Sequence, residues 1–351
     1  MLNRSNQRIN YYRYLLRKKF QTSESPYFFG YGRTALKVGL SSYNIPKGKM
    51  VFAPEYICGA ALEPFTELGL GIKYYSVNTD LSPDWDSVKN KLSTDMFGIL
   101  MVHYFGIPQN IEQFTLFAKE NNLLLIEDNS HGHGGLYLKK LLGTFGDIGI
   151  SSPRKSFPVL NGGVLFLNRK NKILGDDLPY EPANVPKLIA RDITGRMLDY
   201  YPSAKNLFLK KIDAEREWDT KVEDWCIDAA SYNILMKYNF KRVREIRSRI
   251  YQAWEMWCKS HNLTSLFSIK NGSLAPLSLP LIFNNKNERD HWLEIFRRNH
   301  IAAYLWPDLP EEIMNTENSG KDLHGRILCL PIHLSMRVKK IENLFIKKRS
   351  F

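Results

Sequence analysis

Lys155 stands in the segment Ser151-Ser152-Pro153-Arg154-Lys155-Ser156-Phe157-Pro158, seven residues before Gly162-Gly163. Upstream, the apolar run Leu123–Ile126 ends in Glu127-Asp128-Asn129-Ser130-His131. A lysine amine can condense with a carbonyl, and a carboxylate can hold a proton on a pyridine nitrogen. An acidic residue closing one strand-like run, then a lysine before a glycine turn and a further apolar run, is the layout of a pyridoxal phosphate (PLP) site. Taken singly, each residue has a plainer reading. Asp128 could cap a helix, Lys155 could be a solvated amine, and His131 could be a satisfied loop histidine. Their order and strand context join them.

The segments around this pair supply further candidates. Ser152 and Lys155 form a Ser-x-x-Lys arrangement in which a hydroxyl could hold the cofactor phosphate, and Arg154 and the apolar flanks would help lower the lysine's pKa. Gly32-Arg33-Thr34 precedes the helical run Ala35–Leu40 and is a candidate phosphate cradle, with backbone N–H groups at a helix N-terminus and a hydroxyl beside them. His131 could touch the cofactor ring or its phenolic oxygen. His131 and His133 have no carboxylate or cysteine cluster to complete a metal site, and no metal is expected. Cysteines 58, 226, 258 and 329 form no CxxC pair and read as reduced thiols, with Cys58 near the suspected site.

Apolar strand-like runs alternate with helical periodicity up to about residue 168. The runs are Met50–Ala53, Gly71–Val77, Phe97–His103, Leu123–Ile126, Ile148–Ser151 and Gly163–Leu167. Helices are expected at 35–40, 57–68 and 111–121. This pattern implies a mostly parallel sheet covered by helices. An amphipathic helix is expected over residues 5–20, and helical material over 192–200 and 204–215. Val243, Ile246, Ile250, Trp254 and Trp257 recur at helical spacing. A large α/β domain over residues 1–235 and a smaller C-terminal α+β domain over 236–351 follow. The second contains strands at 277–282 and 327–330 and a helix at 288–298.

The composition fits a soluble globular chain, with 44% hydrophobic and 24% charged residues. No apolar run reaches bilayer length, and the first residues lack a secretory signal, so the expected location is cytoplasmic, without stable membrane insertion. The net charge of +13 collects in residues 4–19, 237–249 and 339–349. It reads either as solvated helix faces or as attraction for anionic, phosphorylated ligands. No nucleic-acid-binding motif accompanies it.

On these residues the chain resembles the DegT/DnrJ/EryC1/StrS family of PLP-dependent sugar aminotransferases, which has the fold type I, aspartate aminotransferase-like architecture. Gly32-Arg33-Thr34-Ala35-Leu36 resembles the family's Gly-Thr/Ser-Ala-Leu phosphate turn, and Pro54-Glu55-Tyr56 its Pro-Ser-Tyr segment. Val102-His103-Tyr104-Phe105-Gly106 is similar to Val-His-x-x-Gly, and Glu127-Asp128-Asn129-Ser130-His131 to Glu-Asp-Ala-Ala-His/Gln. Gly143-Thr144-Phe145-Gly146-Asp147 matches Gly-Thr-Phe-Gly-Asp, and Leu330-Pro331-Ile332-His333 resembles the closing Leu-Pro-x-His. The resemblance implies a Schiff base on Lys155 and Asp128 at the pyridinium nitrogen. It places Gly32, Arg33, Thr34, Tyr56, His131 and either Ser151 or Ser152 around the cofactor.

The chain also departs from the pattern. The stretch from Asp147 to Lys155 is about two residues short, Cys58 replaces a ring-stacking aromatic, and the Asn-x-Arg-Met segment has only Thr220–Asp224 roughly in its place. The implied activity is transfer of an amino group, from glutamate by resemblance, to a keto sugar that is nucleotide-linked, by a homodimer in surface-polysaccharide or related biosynthesis. Lys155 argues against the family's dehydrase branch, which has histidine there. A PLP enzyme of another reaction type on a non-sugar substrate, and a non-catalytic relative, are the alternative readings.

Overall fold

The computed structural model describes residues 26–168, 225–270, 272–342 and 344. The expected helices at 5–20, 192–200 and 204–215, and the Thr220–Asp224 segment, lie outside the described residues.

A seven-stranded sheet organises the larger part. Its strands are β1 (Tyr27–Phe29), β2 (Met50–Pro54), β3 (Gly71–Tyr75), β4 (Met96–Val102), β5 (Leu124–Asn129), β8 (Ile148–Ser151) and β9 (Gly163–Leu167), in the order β1-β9-β8-β5-β4-β2-β3. Between β5 and β8 runs a short hairpin, β6 (Leu136–Tyr137) and β7 (Lys140–Leu141). Strands β3, β2, β4, β5 and β8 are parallel, and at the other edge β9 runs antiparallel to both its neighbours, β8 and β1. Strands β4, β5, β8 and β9 are buried almost throughout, as their continuous apolar runs require of a sheet covered on both faces.

Helix α1 (Gly32–Ser41) lies against β8 and β9, burying Ala35, Leu36, Val38 and Leu40. It begins three residues before the expected start, so Gly32, Arg33 and Thr34 form its first turn. The helix expected over 57–68 is broken. A 3-10 turn at Gly59–Ala61 gives way to α2 (Glu63–Glu67), with Pro64 in its first turn, where its missing N–H is harmless. Asp84 caps α3 (Trp85–Asn90), and Asn110 caps α4 (Ile111–Glu120).

Beyond α5 (Ala229–Lys237), the 21-residue α6 (Phe240–Ser260) joins two cores. Its first turns put Phe240 and Val243 among Phe157, Val159, Val164 and Phe166. Its later turns put Ile250, Trp254 and Trp257 into a separate core with Leu279, Leu281, Phe296 and Leu328. Trp254 is fully buried and donates from Nε1 to the Pro331 carbonyl (3.0 Å), so truncation to alanine should cost about 3–5 kcal/mol. The second core is built on the antiparallel sheet β10 (Thr264–Ser265), β11 (Ser278–Ile282) and β12 (Ile327–Pro331). Around it lie α7 (Lys286–Arg298), α8 (Glu311–Met314), α9 (Ser319–Arg326) and α10 (Val338–Glu342). Among the described residues no helix is long and apolar enough to cross a membrane.

Candidate active site

Four neighbouring parallel strands, β2, β4, β5 and β8, bring their carboxyl ends to one edge of the sheet. After β2 come Tyr56 and Cys58, and after β4 comes His103. Strand β5 carries Asp128 and leads to His131, and β8 leads through Ser152 to Lys155. The carboxyl edge of such a sheet is where ligands bind in open α/β folds. Asp128 lies within β5, one residue before its end and paired with Val102 and Ile150, rather than just past the strand. That placement fixes its backbone on both sides.

Lys155 ends a 3-10 turn (Pro153–Lys155) that follows β8. Solvent reaches its side chain, yet protein surrounds it closely enough that desolvation holds its ammonium below the ordinary lysine range. Asp128 and Cys58 oppose that shift and Arg154 adds to it, which places Asp128 and Cys58 in electrostatic reach of the amine. Burial pushes the Cys58 thiol up, so it is uncharged at neutral pH.

His131 is buried and neutral. Desolvation first, and the Lys155 charge second, hold it well below the ordinary histidine range. The Phe105 N–H donates to His131 Nδ1 (3.2 Å), which leaves the proton on Nε2. Its ring stacks near Phe105 and meets Trp306 edge-on at 4.6 Å. Trp306 comes from the distant C-terminal part of the chain, and nothing in its local sequence marks it as a site residue. The Tyr56 hydroxyl donates to the Trp306 carbonyl, and its ring is completely buried, so Tyr56 anchors this wall rather than offering a free hydroxyl.

The phosphate end is built around Gly32. A Cβ there would lie 3.7 Å from Ser152 Cβ, 3.8 Å from Ser130 Oγ and 3.9 Å from Ser152 Oγ. Helix α1 starts with no side-chain cap from Tyr31 and no acidic residue in its first turn, which leaves its leading N–H groups for an anion. Thr34 Oγ1 is buried without a hydrogen-bond partner. Gly163 makes the close approach possible, since a Cβ there would meet the Tyr31 carbonyl oxygen at 2.1 Å. The two serines that sequence left open separate here. Ser152 lies beside Gly32, whereas the Ser151 hydroxyl is engaged by His133 Nδ1 (2.8 Å). Arg33 contributes backbone at the turn while its guanidinium pairs with Glu63.

A buried carboxylate holds the frame. Glu127 is fully buried, and its oxygens accept from the N–H groups of Gly143 (2.6 Å), Phe145 (2.6 Å) and Gly146 (2.9 Å). His103 Nε2 lies 2.9 Å away. Because the Gln109 N–H donates to Nδ1 (3.1 Å), the His103 proton sits on Nε2 and points at Glu127. Burial alone would raise the Glu127 pKa, but these donors prevail and hold it lowered. The Gly-Thr-Phe-Gly-Asp segment is therefore a cage for Glu127, and Asp147 closes it by accepting from the Leu125 N–H (2.9 Å).

The residues present fit PLP. They offer an amine of lowered pKa, a carboxylate fixed on the neighbouring strand, a neutral histidine, and an uncapped helix N-terminus ringed by hydroxyls.

Comparison with known proteins agrees. The model of the DegT/DnrJ/EryC1/StrS aminotransferase family matches residues 29–173. GDP-perosamine synthase of Escherichia coli O157:H7 is 30% identical over 142 residues, and the match spans 40% of this chain and 39% of that protein. The dTDP-4-dehydro-2,3,6-trideoxy-D-glucose 4-aminotransferase of Saccharopolyspora spinosa is 26% identical over 89% of this chain and 80% of its own length. A DegT/DnrJ/EryC1/StrS aminotransferase structure from Brucella abortus superposes with a TM-score of 0.67 at 20% identity, covering 95% of this chain and 88% of that one. The fold is thus shared along nearly the whole chain, while sequence likeness concentrates in the segment that builds the site. The chain is thus similar to the DegT/DnrJ/EryC1/StrS aminotransferase family over residues 29–173 and shares the fold of its solved members.

Proposed function

We propose that the chain is a PLP-dependent aminotransferase that moves an amino group from an amino-acid donor, glutamate, to a nucleotide-linked keto sugar. We place it as a cytoplasmic homodimer serving amino-sugar formation for surface polysaccharide. The observation that carries this reading is Asp128 on β5 in electrostatic reach of Lys155, which follows the adjacent parallel strand β8, together with an uncapped helix N-terminus at Gly32. The named activities of the E. coli and Saccharopolyspora relatives support the substrate class.

PLP, when bound, supplies a carbonyl that condenses with amines and a ring that withdraws electrons. Lys155 would hold PLP through that carbonyl, with loss of water. Its Nζ, kept easily deprotonated by desolvation, would take a proton from the donor carbon and return it at a neighbouring position. The Asp128 carboxylate would keep a proton on the ring nitrogen. His131 Nε2 offers a hydrogen bond from the ring's wall. Ser152 and the first turn of α1 hold the phosphate.

The test is spectroscopic and chemical. Purified protein should carry a visible absorption band that glutamate bleaches and a nucleotide-linked keto sugar restores, and borohydride should leave the cofactor adduct on Lys155. Asp128→Asn should slow the glutamate half-reaction at least about 100-fold, roughly 3 kcal/mol of barrier. An adduct on another lysine, or a near-normal rate for the Asn variant, removes the assignment.

A further inference from the structure

Within Asp128-Asn129-Ser130-His131, nearly every polar side chain is committed. Asp128 Oδ1 accepts from the Ser130 N–H (2.8 Å), closing a tight turn. Asn129 Nδ2 donates to the carbonyls of Gly132 (3.1 Å) and Leu142 (3.0 Å), and His131 Nδ1 accepts from Phe105. The Ser130 hydroxyl is the exception. The turn uses only its N–H, and among the described residues nothing engages its Oγ. It lies 3.8 Å from the point where a Gly32 Cβ would stand, Ser152 Oγ lies 3.9 Å from the same point, and Gly32 itself opens the first turn of α1. The Arg154 guanidinium sits 5.0 Å from the ring centre of Tyr31, the residue that precedes that turn. Two hydroxyls and the leading N–H groups of α1 around the Cα of Gly32 make a receptacle for a tetrahedral dianion.

Resting on the PLP reading above, we propose that Ser130 is a phosphate-binding residue. The Asp128–Ser130 turn then serves both ends of the cofactor, with the carboxylate at the ring nitrogen and the hydroxyl two residues later at the phosphate.

The experiment compares Ser130→Ala, Ser130→Thr, Ser152→Ala and Ser151→Ala, with PLP and with pyridoxal, which lacks the phosphate, as probes. Ser130→Ala should weaken PLP roughly tenfold while leaving pyridoxal affinity and thermal midpoint unchanged. Inorganic phosphate should protect it less well against PLP uptake. Ser130→Thr, which keeps a hydroxyl, should recover most of the loss. Ser152→Ala should behave like Ser130→Ala, and Ser151→Ala like the parent. Equal loss of PLP and pyridoxal would mean that Ser130 acts only through Asp128, and unchanged PLP affinity would mean that its hydroxyl is idle; either overturns the proposal. A parent protein that binds no PLP would overturn the functional reading itself, a result distinct from both.

Discussion

At the residue scale, His131 shows how a site residue leaves a mark on stability. Burial and the Lys155 charge hold its folded pKa well below 6.5, the value it has when exposed in the unfolded chain. As pH falls below 6.5 the unfolded chain takes up a proton that the folded chain refuses. Stability supplied by the neutral ring is therefore complete above pH 6.5 and is lost as pH falls toward the folded pKa. The slope from this one group reaches up to about 1.4 kcal/mol per pH unit. Its Nδ1 only accepts, from the Phe105 N–H, so His131→Asn can keep that bond. The expected outcome is that His131→Asn flattens the fall in denaturant midpoint between about pH 6.5 and 5, by up to that slope. His324, whose pKa burial also lowers, titrates in both proteins, so the difference isolates His131. Identical pH profiles would mean that His131 takes up its proton in the folded chain as readily as in the unfolded one.

At the element scale, the joint between β5 and β8 rests on Glu127. Removing its carboxylate strands three backbone N–H groups and the His103 proton in the interior. Glu127→Ala should therefore destabilise the protein by about 3–5 kcal/mol, measured by urea unfolding. Glu127→Gln should recover only part, because its amide nitrogen faces donors. A loss under about 1 kcal/mol for Glu127→Ala would show that the cage does not depend on this acceptor. The same joint explains what was legible beforehand. Lys155, Asp128 and the parallel sheet could be read because strand runs and their terminal residues are local in sequence. The choice between Ser151 and Ser152 could not, since it depends on which hydroxyl His133 claims across 18 residues. Ser130 was readable in principle from the Asp-x-Ser turn. Trp306 was not, because only tertiary packing brings it to His131. The helix expected over 57–68 breaks ahead of Glu63, because Pro64 fits only in a first turn, and α1 starts at Gly32 rather than Ala35 although a glycine argues against helix until its close neighbours are known.

At the scale of the whole molecule, the excess of positive charge suggests steering of an anionic substrate, and residues 241–249 are the densest run near the site. The structure divides that run by role. Arg247 is 1% exposed and donates to the carbonyls of Pro276 (2.8 Å), Ile332 (3.3 Å) and Ser156 (2.7 Å), which ties α6 to the residue after Lys155. Arg244 donates to the Gly134 carbonyl (2.9 Å). These two are structural, so neither the solvated nor the ligand-attracting reading of the run applies to them. Lys241, Arg242 and Arg249 remain exposed. If the exposed charges steer the sugar nucleotide, its apparent KM should rise with ionic strength while kcat holds, because screening acts over about 8 Å at physiological salt. The Lys241→Ala, Arg242→Ala, Arg249→Ala triple variant should raise KM at low salt, flatten that dependence, and leave the thermal midpoint within about 2 °C of the parent. Arg247→Met should do the reverse. It removes donors from two buried carbonyls and one half-buried one, so stability should fall by about 2–4 kcal/mol while the salt dependence stays as in the parent. Stopped-flow rates for the two half-reactions across a salt series would decide it. Equal salt sensitivity for glutamate and for the sugar nucleotide, or a triple variant with unchanged salt dependence, would return the whole basic run to a structural or solvated role.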